Sequence, residues 1–191
     1  MTRDALLTSN PQLQAWRTWA TDHRFPAAVL AGLVGTHVAS VLGFWFGGFG
    51  LTRLDWNTAN GLVYLPKADP LAQFLFGGLM HYTDGILFGV LFALTFHPRM
   101  PWANSEMGNI LKGVAFGTVL AVIALLVLTP LIYAPARGAE AGFFSLNFGW
   151  KYVVGTVLFH WAYGAHLGLI YSPLDSSARA IGLKKAPVLA A

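Results

Sequence analysis

Charge is scarce in this chain. Only 10% of its 191 residues are Asp, Glu, Lys or Arg, while 55% are hydrophobic. A soluble domain carries about 25% charged residues, so these few cannot cover a water-exposed surface. The same balance excludes a disordered chain. Cysteine is absent, which removes disulfides, thiolate metal sites, iron–sulfur clusters and a cysteine nucleophile. Also missing are a Walker A loop, a His-Glu-x-x-His helix, a Gly-x-Ser-x-Gly elbow and a dinucleotide fingerprint. No charge-rich soluble domain is present to hold a polar substrate.

What is abundant is apolar and aromatic. The chain has 14 Phe, 7 Trp, 6 Tyr and 21 Gly, and its mean hydropathy is +0.56. Four long apolar runs stand out, over residues 26–49, 71–96, 108–133 and 149–171. Each holds about 23 to 26 residues, roughly 35–39 Å of helix, enough to cross a bilayer with some tilt. The predicted fold is all-α, a four-transmembrane-helix bundle in one domain over residues 26–172. Residues 1–25 form a separate N-terminal segment. There Asn10 suits an N-cap, Pro11 a first helical position, and Leu13, Trp16, Trp19 and Ala20 share a face, so a short amphipathic helix lying at the interface is expected. Arg17, Asp22 and Arg24 lie off that face. With about 25 residues before it and no A-x-A-like site after it, the first span does not read as a cleaved signal. Residues 173–191 read as a flexible tail.

The basic residues are scattered over loops, which sets topology rather than nucleic-acid binding. Arg3, Arg17, Arg24, Arg99, Lys112, Arg179, Lys184 and Lys185 fall on one side, and Arg53, Lys67, Arg137 and Lys151 on the other. Eight against four predicts cytoplasmic N- and C-termini.

An internal repeat runs through the second and fourth spans. His81-x-x-x-Gly85-x-x-x-Gly89-x-x-Phe92 matches His160-x-x-x-Gly164-x-x-x-Gly168-x-x-Tyr171, and Gly35-Thr36 matches Gly117-Thr118 more weakly. The chain therefore reads as two similar helical hairpins in tandem. Spacing of four puts each His and its glycines on one stripe, with Gly77 extending it, and glycines at that spacing let helices approach closely. These helices, the Leu111-Lys112-Gly113 start of the third and the Gly142-Phe143-Phe144 outer loop resemble small bacterial four-helix membrane proteins of a domain of unknown function. The resemblance spans about residues 27–172. It implies the fold and a bacterial inner membrane, and no activity.

Polar groups gather near the predicted midplane: His37 in the first span, His81 and Asp84 in the second, His160 in the fourth. An acid at that depth costs about 2.5–3.5 kcal/mol on insertion scales and needs a partner or an interior cavity. Tyr163, the repeat counterpart of Asp84, is an expected donor across the bundle. Several readings of the cluster compete. The groups hydrogen-bond each other and fix register; two His ligate a b-type haem; the set binds a transition metal or relays protons; or a quinone, pigment or lipid sits there. His166 lies on another face, and His97 and His23 read as interfacial. With glycine seams and aromatic outer loops as contact surface and no visible reaction site, the leading expectation is a non-catalytic integral membrane subunit or accessory protein. Its partners would be lipid and other membrane subunits. The alternatives are a small haem- or metal-binding electron-transfer protein and a proton-coupled carrier through Asp84.

Overall fold

The computed structural model describes residues 10–174. Every regular element among them is helical, with no strand. Four helices are long and apolar enough to cross a membrane, at Arg24–Phe49, Pro70–Arg99, Glu106–Ala136 and Trp150–Ile170. In chain order the elements are α1 (Pro11–Asp22), α2 (Arg24–Trp45), the loop helix α3 (Trp56–Tyr64), α4 (Pro70–Leu91), α5 (Glu106–Ile123) and α6 (Trp150–Ile170). The second span continues past α4 through a π-helical turn at Phe92–Phe96, and the third continues past α5 through a π stretch at Ala124–Tyr133.

Local chemistry sets the ends. Asn10 accepts from the amides of Gln12 and Leu13, with Pro11 at the first helical position. Asp55, Asp69 and Ser105 cap α3, α4 and α5 in the same manner, satisfying amides that have no partner inside the helix.

Small residues set the packing. One face of α2 carries Ala28, Gly32, Thr36 and Ser40, and the adjacent face Ala27, Ala31, Gly35, Ala39 and Gly43, all buried. The first stripe meets α4: a Cβ on Gly89 would press into the Ala28 carbonyl and Gly32, and one on Gly85 would strike Thr36. The second meets α6, where Gly35 lies under Tyr163 and Gly43 under Phe159. α6 then packs on α5, backbone to backbone: Gly164 against Gly113, and Gly168 against Asn109. Gly85 and Gly89 thus stand on α2 as Gly164 and Gly168 stand on α5. The correspondence pairs Gly32 with Gly113 and Thr36 with Gly117, one residue off the sequence match of Gly35-Thr36 with Gly117-Thr118. Gly77 leaves the stripe and packs on Asn57 and Gly61 of α3.

The helices therefore run α4, α2, α6, α5 around the bundle, and the fourth side is not closed by direct packing. α4 and α5 lack an extended interface of their own. Near one end Phe92 and Phe96 meet Phe116, at ring separations of 5.4 and 4.8 Å. At the other, α3 bridges them through Tyr133, whose hydroxyl donates to Asn60 Oδ1 at 2.8 Å. In the π pattern the Leu125 carbonyl would take the amide of residue 130, but Pro130 has none. The Ser145 hydroxyl donates to that carbonyl instead, at 2.8 Å. Holding it there takes left-handed backbone at Phe144 and Ser145.

α1 departs from the sequence reading. Arg17, placed off the packed face, is buried: Nε donates to the Ser172 carbonyl at 3.2 Å and Nη2 to the Pro173 carbonyl at 3.3 Å, with a further bond to the Asn104 carbonyl. Trp16 Nε1 donates to the Ile170 carbonyl at 3.0 Å. The reason is the end of α6, whose last carbonyls have no helical partners; α1 supplies the donors. Of the expected tail, residues 173 and 174 take part here, Leu174 donating its amide to Thr21 Oγ1 at 2.9 Å. The rest of the tail, with Arg179, Lys184 and Lys185, lies outside the described residues, as does Arg3.

Candidate functional site

A cavity of about 670 Å³, including its mouth, lies inside the unclosed side of the bundle. α4 contributes His81, Asp84, Gly85 and Phe88; the third span contributes Leu120, Ile123, Ala124, Leu128 and Tyr133; α6 contributes Phe159, His160 and Tyr163. Thr36 of α2 forms part of the back wall and Trp56 of α3 the roof. Ile123 lines the cavity and is 40% exposed, so the mouth opens between α4 and the third span. That face carries exposed Leu87 and Val127, side chains suited to hydrocarbon. The opening is thus a window framed by the Phe92–Phe96–Phe116 contact at one end and the Asn60–Tyr133 bridge at the other.

The sequence-chosen residues divide. His81, Asp84 and His160 line this one cavity. His37 does not: it is exposed, with Nδ1 2.8 Å from the Tyr82 hydroxyl. The cause is the register of α2, whose two buried small-residue stripes leave position 37 on the outward face. His81 Nε2 sits 3.0 Å from Ser40 Oγ. Phe159 stands beside both remaining histidines, its ring 6.0 Å from His81 and 5.4 Å from His160. His160 Nδ1 lies 2.8 Å from the Thr156 carbonyl. A carbonyl only accepts, so Nδ1 carries the proton and Nε2 of the neutral ring is left as an acceptor. Among the described residues no group of three or more His, Cys, Asp or Glu side chains is placed to hold a metal ion. The midplane set is thus not gathered as a metal cluster.

Most of the remaining polar lining is already committed. The Tyr163 hydroxyl reaches across the bundle, as expected of a donor, but gives its proton to the Gly85 carbonyl at 2.6 Å rather than to Asp84. Thr36 donates to the Gly32 carbonyl at 2.7 Å. Trp56 is different: its indole Nε1 is buried with no hydrogen-bond partner, while its ring stands 5.1 Å from Tyr133 and 6.1 Å from Phe159. Reading from the sequence missed Trp56 and Tyr133. The signal was present in Asp55, an N-cap that starts α3 at Trp56, but nothing local said which way that helix folds back.

The other histidines lie outside this cavity. His97, read as interfacial, is 4% exposed; its Nε2 donates to Asn109 Oδ1 at 2.8 Å, and Asn109 donates to Ser172 Oγ at 3.0 Å. His166 Nδ1 donates to the Ala162 carbonyl at 2.7 Å. His23 stacks on Trp19 at 5.3 Å.

A second cleft, about 580 Å³ counting its open mouth, lies beyond the roof. Arg53, Arg137, Thr129 and Tyr152 line it, and it shares Trp56 and Tyr133 with the first. These two rings are the partition between the two spaces. No family model, curated protein or solved structure matches this chain.

Proposed function

We propose that this chain is a non-catalytic integral membrane protein that holds a lipophilic ligand within the bilayer, in the cavity behind the α4–α5 window. The carrying observation is that window: an intramembrane cavity with mixed polar and apolar walls, open on a lipid-compatible face and braced at both ends. Ligand sites are concave, largely apolar and set with a few polar groups, and π-helical distortions such as the one at Ala124–Tyr133 recur at functional sites. The glycines expected to serve as contact surface for other subunits, Gly85, Gly89, Gly164 and Gly168, are spent inside the bundle, so they no longer argue for a partner. The equivalent glycine contacts of α4 on α2 and of α6 on α5 support a tandem repeat of two hairpins. The proposed setting is a bacterial inner membrane with both chain ends cytoplasmic and α1 at that interface.

Photolabelling tests the pocket. An alkyl diazirine added to the protein in lipid nanodiscs should label Ile123, Ala124 and Leu128 more strongly than Leu87 and Leu131, although these two are the more exposed. Leu128→Trp, which adds bulk at a half-buried wall position, should lower that labelling about tenfold, the scale set by losing most of a small ligand's apolar contact. Uniform labelling that ignores Leu128→Trp would sink the reading. An absorbance spectrum of the same sample separates it from a b-type haem held by His81 and His160, which would show a Soret band.

Orientation has its own test. A cysteine placed at Phe143, 82% exposed, should react with an impermeant maleimide added outside intact cells. One placed at the exposed Trp102 should react only after lysis. The reverse pattern would overturn the assignment of sides.

A further inference from the structure

We infer that the ligand of this cavity carries an aromatic ring with hydroxyl groups, a phenol- or hydroquinone-type head on an apolar tail. The inference rests on the pocket reading above and names its ligand class. It starts from what the protein leaves unpaired. Tyr133, Tyr163 and Thr36 spend their hydroxyl protons on Asn60 Oδ1, the Gly85 carbonyl and the Gly32 carbonyl. The groups left over are of both kinds. Trp56 Nε1 is a donor, buried and without a partner. Asp84 lines the cavity, and among the described residues no hydrogen bond or ion pair engages it. Nε2 of His160 is an acceptor once Nδ1 is given to Thr156.

A hydrocarbon chain would leave all three unanswered. A ligand with acceptors alone would leave the His160 Nε2 lone pair unanswered. A hydroxyl answers both kinds, because it donates one proton and accepts with its lone pairs. The walls add the ring: Trp56, Phe88, Phe159 and Tyr163 present aromatic surface to the cavity, and aromatic rings favour offset or edge contacts with another ring. The mouth faces lipid, so the molecule enters from the bilayer and its tail stays in or near the window.

Competition against the diazirine label tests this on the full-length protein in nanodiscs, with decylhydroquinone and decylbenzene as probes of equal tail length. Decylhydroquinone should compete at a concentration at least about tenfold lower, the factor that one or two buried hydrogen bonds supply. Trp56→Phe and Asp84→Leu should each cut that advantage about fivefold, while decylbenzene stays within about twofold of its parent value. Where Trp56→Phe does not assemble, Asp84→Leu decides. Equal competition by both probes, or an advantage untouched by the variants, would overturn the head class. The Leu128→Trp blockade decides separately whether the pocket is occupied at all. If labelling ignores it, both readings fall; if labelling obeys it and decylhydroquinone has no advantage, only this one does.

Discussion

Gly164→Ala should destabilise the bundle by about 3 kcal/mol, the upper end of overpacking costs, and Gly85→Ala by about 1 kcal/mol. The two glycines hold the same place in the His-x-x-x-Gly-x-x-x-Gly pattern, yet they meet different atoms. A methyl on Gly164 lands on the Gly113 carbonyl, with the Gly117 amide nitrogen 3.2 Å away. Backbone on both sides leaves only one response, separation of α5 from α6, and that would strip the Gly168 contact with Asn109 as well. A methyl on Gly85 lands on Thr36 Oγ1. Thr36 can rotate its hydroxyl away, since threonine keeps two side-chain rotamers in a helix; it gives up its 2.7 Å bond to the Gly32 carbonyl, and its Cβ, 2.9 Å from the new methyl, is left to be relieved by a small shift of the helices. Denaturation of each variant in mixed micelles, followed by tryptophan fluorescence, measures the pair. Equal losses would mean that α2 and α4 are held as rigidly as α5 and α6. Two neutral outcomes would mean that neither contact is as close as the structure has it.

Arg17→Ala should cost about 3 kcal/mol and free α1 from the bundle. The guanidinium serves three backbone carbonyls, two from the chain just after α6 and one from the loop before α5. Hydrogen bonds to a charged group are each worth about 1.5–3 kcal/mol net, and losing them leaves acceptors stranded. Arg17→Lys should recover little, because an ammonium lacks the planar fork that reaches several acceptors at once. Hydrogen exchange gives the local readout. The amides of α1 and the Leu174 amide, bonded to Thr21 Oγ1, should exchange at least tenfold faster in the alanine variant, the factor that corresponds to about 1.4 kcal/mol of local protection. Unchanged exchange in α1 would show that Trp16 and Ala20 hold the helix without Arg17.

Some of this architecture follows from the order of residues alone, because it depends on properties a segment carries by itself. The four spans are of that kind: hydropathy and length act over about 20 consecutive residues, and the expected run at 108–133 lies inside the observed Glu106–Ala136. The Asn10 cap involves residues two and three apart. The four-residue spacing of Gly85 with Gly89 and of Gly164 with Gly168 marks a close-packed face whatever the partner is.

The candidate site is of the other kind. His81, Asp84 and His160 were legible as a central layer because depth along a helix is a matter of counting. Which of them share a cavity depends on how each helix is rotated, and rotation is settled between helices. The two small-residue stripes of α2 turn His37 outward, toward Tyr82, and away from the other two histidines. Trp56 and Tyr133 meet because α3 folds back over the bundle, through contacts far apart in the chain such as Tyr133 with Asn60. Arg17 read as a surface charge, since its burial depends on carbonyls more than 80 residues away in sequence that no local pattern announces. The window itself is a space between helices, left where α4 and α5 have no small-residue face for each other, and a pattern along one helix cannot record it.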